Sequence, residues 1–175
     1  MTTHTYRTEM ELPLGSGEVF AFFADPRNLE RITPPELRFE ILTPELLDIR
    51  EGTLIDYRLR LYGVAFRWRA RISLWAPPDR FVDEQVQGPY KLWIHEHRFV
   101  ARNGRTVIQD EVQYRLPFRP VGELAYPFLR AELERIFRFR RSAIRRALLG
   151  DQSDTVGAVS PAQGCYPGDE GGYRS

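Results

Sequence analysis

The sequence predicts an α+β protein in which a curved antiparallel sheet of about seven strands wraps around one long C-terminal helix. Residues 121–149 carry apolar side chains at helical spacing, with charged residues between them. Residues 38–118 mostly alternate apolar and polar side chains and are interrupted by turn residues, which is typical of half-buried strands. Because a long helix on a curved sheet leaves a hollow beneath it, we expect a cavity between the two layers.

The composition restricts the protein to a few broad classes. Its 175 residues, of which 42% are hydrophobic and 28% charged, are enough for one domain with a proper core. The net charge of +1 argues against a nucleic-acid partner, and the lone Cys165 excludes a disulfide within the chain. The sequence has neither a run of ~20 apolar residues nor a signal-peptide block. We therefore expect a cytoplasmic protein without a membrane span.

The first part of the chain predicts a strand, two short helices and a second strand. Ser16 is a suitable N-cap for the first helix, which continues to Ala24. Asp25 can cap the second helix, because Pro26 then takes the first helical position, and the prolines at 34 and 35 end it. The two strands are predicted at residues 5–12 and 38–42.

Five more strands follow, joined by segments rich in glycine and proline. The strongest of these turn signals is Asn103-Gly104, because both residues tolerate a positive φ and the flanking segments alternate. The predicted strands are residues 53–62, 65–75, 80–87, 91–102 and 105–118.

The C-terminal region predicts a helix and then a tail. Pro127 either sets the start of the helix near Phe128 or kinks a longer helix. From Gly150 onward the composition turns small and polar, which indicates disorder. We expect one ligand-binding domain at residues 1–149 and a disordered tail at residues 150–175.

The Asn103-Gly104 turn also predicts which side chains of the last two strands share a face. A two-residue loop places Arg102 opposite Arg105. Since side chains alternate along a strand, every second pair then points inward. The inward pairs are Phe99 with Ile108, His97 with Asp110, His95 with Val112, and Trp93 with Tyr114.

Two other hairpins add inward residues. If the Gly88-Pro89 turn has an even length, Glu84 lies opposite Trp93 and Val82 opposite His95. In the preceding hairpin, Leu59 is expected opposite Trp68 and Tyr57 opposite Ala70. Arg140 falls in the apolar stripe of the helix and points at the same space. Charged groups at such positions are costly unless they are paired or wetted, which indicates a cavity that holds water or ligand.

The candidate site combines aromatic side chains with a few polar ones. Tyr57, Trp68, Trp93 and Tyr114 would supply apolar contact, and the polar candidates are Glu84, His95, His97, Asp110 and Arg140.

The polar candidates have more than one interpretation. His97 with Asp110 is either a general base with its orienting carboxylate or a structural cross-strand pair. Arg140 either clamps a ligand anion or forms an internal salt bridge to Glu84 or Asp110. Glu84 is either an acid with a raised pKa or the partner of Arg140.

We expect no metal and no cofactor. His95 and His97 could bind a metal with Asp110 or Glu84, but their spacing is common and no cysteine supports the site. The sequence has no glycine-rich phosphate loop, no nucleophile elbow and no zinc-binding helix motif, which removes most common enzyme classes.

Two arginine-rich surfaces stand out. One is on the outer face of the hairpin formed by residues 53–75, and the other is on the helix. A basic face can meet an anionic surface or an acidic partner, but it can also be a solvated face whose charges are balanced, here by Asp56 and Asp83.

Several stretches of the sequence resemble the START-like (SRPBCC) superfamily, which has the helix-grip fold of birch-pollen allergens, lipid-transfer START domains and polyketide cyclases. The resemblance covers residues 4–149 and is carried by DEQVQGPY at residues 83–90, Trp93, HEHRF at residues 95–99 and DEVQYRLP at residues 110–117. Within the superfamily, the pattern resembles a bacterial ligand-binding branch often labelled cyclase/dehydrase, and a related domain occurs fused to epimerase-like short-chain dehydrogenases.

The resemblance implies a cavity between sheet and helix and leaves three functions open. The first is binding of a hydrophobic or amphipathic molecule such as a lipid, a quinone or a polyketide-like compound. The second is cyclase/dehydratase-like proton transfer, with His97 as the base and Arg140 or Tyr114 steadying an enolate. The third is docking to an epimerase-like protein or an anionic surface.

Overall fold

A computed structural model describes residues 2–43, 48–61, 63–118 and 121–150. It shows the predicted helix-grip architecture, a seven-stranded antiparallel sheet with one long C-terminal helix and two short helices after the first strand. The strands are β1 (His4–Leu12), β2 (Glu40–Ile41), β3 (Leu54–Leu61), β4 (Val64–Ala76), β5 (Arg80–Gln87), β6 (Leu92–Arg102) and β7 (Arg105–Arg115). The helices are α1 (Ser16–Ala24), α2 (Arg27–Arg31), α3 (Val121–Leu124) and α4 (Tyr126–Leu149), with a 3-10 turn at Pro35–Leu37.

The strand order explains how the short helices reach the cavity. The order is β1-β7-β6-β5-β4-β3-β2, so β1 and β2 are the two edges of the sheet. Helices α1 and α2 lie between β1 and β2 in the sequence and therefore connect one edge to the other. Asp25 accepts a hydrogen bond from the backbone N–H of Arg27 (3.0 Å), which matches its predicted role at the start of α2.

The register of the β6–β7 hairpin is as predicted. Arg102 lies opposite Arg105, and His97 lies opposite Asp110. Asn103 and Gly104 form the turn with φ angles of 47° and 76°, as a two-residue hairpin loop of the mirror-image type requires.

The predicted register of β5 against β6 is wrong by one residue. Glu84 lies opposite Ile94, not Trp93, and Asp83 lies opposite His95. The connection is not a tight turn at Gly88-Pro89, because the Gln85 side chain closes a wider loop by bonding both the backbone N–H and the carbonyl of Tyr90. A one-residue shift reverses the face of every side chain, so Glu84 points outward and Asp83 points inward.

The β3–β4 hairpin differs from the prediction by two residues. Tyr57 lies opposite Trp68, and Leu59 lies opposite Phe66. The pairing nearest the turn joins Leu61 and Val64, so the turn lies one residue earlier in the chain than expected. Because the shift is even, the inward face was still predicted correctly.

Pro127 lies at the start of the long helix and does not interrupt it. It lies in the first turn of α4, where a missing backbone N–H costs nothing because that group has no intrahelical partner. Residues 121–124 form the separate short helix α3.

The core consists of two apolar clusters that meet on β7. One contains Leu12, Val19, Ile108 and Ile144, and the other contains Tyr6, Val112, Tyr114, Leu133 and Phe137. Asp110 lies on β7 between Ile108 and Val112, so a buried carboxylate separates the two clusters.

The arginines of the outer sheet face are largely neutralised by carboxylates. Arg69 pairs with Asp56 (2.7 Å), Arg58 with Glu40 (2.5 Å) and Arg71 with Glu84 (3.0 Å). Asp83 does not contribute to this balance, contrary to expectation, since it faces the interior. Of the two interpretations of this face, the structure therefore supports a solvated face whose charges are balanced, with Glu40 and Glu84 in place of Asp83.

Two further predictions concern a membrane span and the C-terminal tail. Within the described residues, none of the helices combines the length and the apolarity that crossing a lipid bilayer requires. The tail predicted at residues 150–175 lies, apart from Gly150, outside the described residues, so the domain boundary stays a prediction.

Candidate functional site

A cavity of about 730 Å³ lies between the concave face of the sheet and α4. The sheet contributes Tyr57 and Trp68, the short helices contribute Phe22 and Leu29, and α4 contributes Ile136. Its size is within the range of ~300–1,000 Å³ that is usual for small-molecule sites. The expected hollow is therefore present.

Aromatic side chains form much of the wall. Trp68 stacks on Tyr57 with 5.8 Å between ring centroids, and it meets the edge of Trp93 at 5.2 Å. Trp75 also lines the cavity, so all three tryptophans of the chain face the same space. Such walls offer a large apolar surface with defined geometry.

The structure brings most of the predicted site residues together. Six of the nine line the cavity, namely Tyr57, Trp68, Trp93, His95, His97 and Arg140. Asp110 is buried behind the two histidines, and Tyr114 is fully buried in the core cluster that contains Leu133. Tyr114 therefore supports the wall and does not form its surface.

Glu84 is the residue whose predicted position is wrong. It lies on the outer face and pairs with Arg71, so it is neither a cavity acid nor the partner of Arg140. Asp83 takes its place at the cavity wall. Identifying Asp83 requires knowing that an odd number of residues separates the paired positions 84 and 94. The sequence contains no signal for that number.

Four ionisable side chains form one cluster on β5, β6 and β7. Asp110 Oδ1 lies 2.7 Å from His97 Nδ1 and 3.2 Å from His95 Nε2. The contact to His97 is close but not aligned as a regular hydrogen bond. On the opposite side, Asp83 Oδ2 lies 3.5 Å from both His95 Nδ1 and His97 Nε2.

The donor atoms of this cluster are close enough to surround one cation. The ligand atoms of Asp83, His95 and His97 all lie within 4.8 Å of one another. All three side chains line the cavity, so a cation held among them would also face the cavity.

The sequence profile of the family described as polyketide cyclase/dehydrase and lipid transport matches residues 13–139. The chain belongs to this family. The START-like (SRPBCC) resemblance is thereby confirmed, and the helix-grip fold agrees with it. A search of curated proteins finds no significant match.

Solved structures share the fold at low sequence identity. An aromatase/cyclase from a Streptomyces species is 17% identical, with a TM-score of 0.67 and coverage of 86% of this chain and 99% of that chain. A Mycobacterium smegmatis protein is 18% identical, with a TM-score of 0.63 and coverage of 83% and 90%. A major latex-like protein from Panax ginseng is 13% identical, with a TM-score of 0.60 and coverage of 84% and 98%.

Charge is distributed unevenly within the cluster of this polyketide cyclase/dehydrase family member. Burial raises the pKa of Asp110, but His97 and His95 outweigh burial and bring this pKa far below its usual range. Burial likewise raises the pKa of Asp83, but His97, His95 and Arg140 outweigh burial and bring this pKa below its usual value. Both carboxylates are therefore ionised, although Asp110 is buried and Asp83 is partly buried.

The two histidines respond in opposite directions. Burial and the neighbouring His97 lower the pKa of His95. Burial also lowers the pKa of His97, but Asp110 and Asp83 outweigh it and raise this pKa above its usual value. His97 is therefore the imidazole that takes up a proton first.

Arg140 reaches the same region from α4. Its guanidinium carbon lies 5.2 Å from the centre of the Phe137 ring. Burial lowers the pKa of Arg140, while Asp110, Asp83 and Tyr57 oppose that effect. Its buried Nε has no hydrogen-bond partner among the described residues. A buried donor without a partner is costly, so this group is ready to bind an acceptor on a ligand.

Proposed function

We propose that this protein binds a hydrophobic or amphipathic small molecule in the cavity between the sheet and α4, in the cytoplasm. The observation that carries the proposal is a cavity of about 730 Å³ that has aromatic walls and a group of polar side chains on β5, β6 and α4. A lipid, a quinone or a polyketide-like compound has the matching chemistry, a large apolar body with a few polar atoms.

The arrangement of the walls suggests how such a ligand lies. Its apolar part would contact Trp68 and Trp93, where burial of aromatic surface stabilises the complex. Its polar head would lie against His97 and Arg140. An anionic head would gain most, because it supplies the acceptor that Arg140 Nε lacks within the described residues.

Tryptophan fluorescence tests the proposal directly, because all three tryptophans line the cavity. The protein is titrated with a long-chain fatty acid, a short-tailed quinone and an aromatic polyketide. We expect saturable quenching or a spectral shift with at least one of them, at one molecule per chain. If none changes the emission and none binds in calorimetry, the cavity is not a site for these classes.

A cyclase/dehydratase-like reaction is the second candidate, and one contact favours it. His97 lines the cavity, and its other ring nitrogen lies 2.7 Å from Asp110, as in a base with an orienting carboxylate. Arg140 would then steady the enolate. Tyr114 has no part in this scheme, since it lies in the core. A bell-shaped pH profile of turnover that is lost in His97→Ala would support the reaction.

Docking to an epimerase-like protein is a weaker proposal. Three arginines of the outer sheet face are already paired with carboxylates, which reduces the attraction of that face for an acidic partner. Charge reversal at Arg67 and Arg69 tests it, because unchanged partner binding would exclude this face.

A further inference from the structure

The two carboxylates that flank His95 and His97 stand at different distances from the rings. Asp110 Oδ1 lies 2.7 Å and 3.2 Å from one nitrogen of each ring. Asp83 Oδ2 lies 3.5 Å from the other nitrogen of each ring. The four groups therefore form a cluster with a tight side at Asp110 and a wide side at Asp83.

The tight side has the properties of a support for metal ligands. Asp110 is buried behind the rings and outside the cavity wall, and it contacts the rear nitrogens of both histidines. In metal sites, a ligating histidine almost always donates its second ring N–H to a carboxylate or carbonyl, which fixes the ring and its tautomer. Asp110 is hydrogen-bonded to His95 in this way at 3.2 Å, and it lies 2.7 Å from His97 in a close contact that is not aligned as a hydrogen bond.

On the wide side, the two distances from Asp83 have the spacing of a metal site, and the three ligand atoms all lie within 4.8 Å of one another. A separation of 3.5 Å is longer than a good N–H···O hydrogen bond, for which ~2.7–3.2 Å is usual. Ligands at ~2.0–2.2 Å from a tetrahedral Zn²⁺ ion are ~3.3–3.5 Å from each other. The distance from Asp83 to each ring therefore equals the distance between two ligands of the same ion.

The charges around the cluster also favour a bound cation. If the rear nitrogens carry the ring protons beside Asp110, then His95 Nδ1 and His97 Nε2 present lone pairs to the Asp83 carboxylate. Three such atoms facing one another where solvent is largely excluded repel unless a ring proton or a metal cation lies among them. With neutral imidazoles, Asp83, Asp110 and Arg140 sum to −1, so the surroundings favour a positive ion.

We propose that Asp83, His95 and His97 bind one divalent transition-metal ion of the Zn²⁺ class at the cavity wall, with Asp110 holding both rings from behind. Two imidazoles and one carboxylate are donors that suit Zn²⁺ and Fe²⁺ more than Mg²⁺ or Ca²⁺. Because all three side chains line the cavity, the remaining coordination position faces the space in which a small molecule would lie.

Zinc titration of the full chain tests the site. The purified protein is stripped with a chelator, dialysed and titrated with ZnCl₂ in a calorimeter, and the metal content is measured by mass spectrometry. We expect one Zn²⁺ per chain. Asp83→Asn should weaken binding at least 100-fold, and Asp110→Asn by ~10–100-fold, as is usual for a carboxylate behind a ligand.

Two control variants separate this site from others. Glu84→Gln alters the neighbouring carboxylate on the opposite face of β5, and Cys165→Ser removes the one thiol of the chain. Both should bind Zn²⁺ as the wild type does. Failure of the wild type to bind, or equal binding by Asp83→Asn, would overturn the proposal, and so would loss of binding in Cys165→Ser.

A second measurement needs no variant and therefore does not depend on how the variants fold. The chain has three histidines, and His4 lies on β1 outside the cluster. Adding Zn²⁺ to the wild type should shift the imidazole NMR signals of His95 and His97 and leave those of His4 in place. Shifts at His4 alone, or none at all, would also refute the site. The result is independent of whether the cavity binds an apolar ligand.

Discussion

At the residue scale, His97 and Trp93 are two of the side chains by which β6 faces the cavity. They lie on the same side of the strand as His95, and all three line the cavity wall. Glu96 lies between the two histidines in sequence but points away and pairs with Arg98. One strand therefore provides both the test residues and a matched control.

Replacing either cavity residue should weaken ligand binding without unfolding the protein. We expect Trp93→Ala to lower affinity about tenfold or more, because a lost aromatic surface is worth ~1.5–3 kcal/mol. His97→Ala should lower it about fivefold, because a lost polar contact is worth ~1 kcal/mol. Glu96→Ala should bind normally. Calorimetric titration measures the affinities, and wild-type binding by both cavity variants would show that the site lies elsewhere.

Arg140 should select the head group of the ligand. We expect the wild type to bind a fatty acid more tightly than its methyl ester by roughly 10–100-fold, since a hydrogen bond to a charged group contributes ~1.5–3 kcal/mol. Arg140→Gln should lose this preference. Arg141→Gln should keep it, because Arg141 bonds Thr8 on β1. An acid-to-ester ratio unchanged in Arg140→Gln would contradict the assignment of this head-group contact.

At this scale the sequence could predict faces better than partners. Alternation along β6 and β7 correctly predicted that both histidines and Asp110 point inward, because the Asn103-Gly104 turn sets the register. The same reasoning failed for Glu84 and Asp83, because a loop closed by the Gln85 side chain has no comparable sequence signal.

At the element scale, the β6–β7 hairpin anchors the register on which the site depends. Gly104 has a φ of 76°, a conformation that glycine adopts without strain and alanine does not. Gly17 lies within α1 and has no such requirement. A Cβ at either position would meet nothing within 4 Å, so backbone conformation alone distinguishes the two sites.

The two glycines should therefore respond in opposite directions to alanine. We expect Gly104→Ala to lower the free energy of unfolding by ~1–2 kcal/mol, the cost of a Cβ in the left-handed region. Gly17→Ala should raise it by ~0.5–1 kcal/mol, since alanine is the better helix former. Urea denaturation measures both values. A stabilised Gly104→Ala would mean that this turn differs from the one described.

Helix α4 was the most predictable element, and its start was the least certain. The long apolar periodicity specified a helix, whereas Pro127 was compatible with either a start or a kink. The structure supports a start, and the short helix α3 precedes it. The packing that separates the two helices involves long-range contacts, which a local sequence pattern does not contain.

At the scale of the whole molecule, the fold and the presence of a cavity could be predicted, but its volume and contents could not. The number of strands and the fold class follow from the alternating segments and the family resemblance. The volume of about 730 Å³ depends on how far the sheet curves away from α4. Curvature is a sum over many small twists and bulges, such as the register shifts between β4 and β5.

Native mass spectrometry of three proteins purified side by side from the native host tests the central claim, that a small molecule occupies this cavity. The proteins are the wild type, Ile136→Trp, which fills the cavity from α4, and Arg138→Trp, which places the same side chain on the exposed face of α4. We predict that a small molecule accompanies the wild type and Arg138→Trp and is lost from Ile136→Trp. A ligand retained equally by all three, or carried by none, would contradict the account.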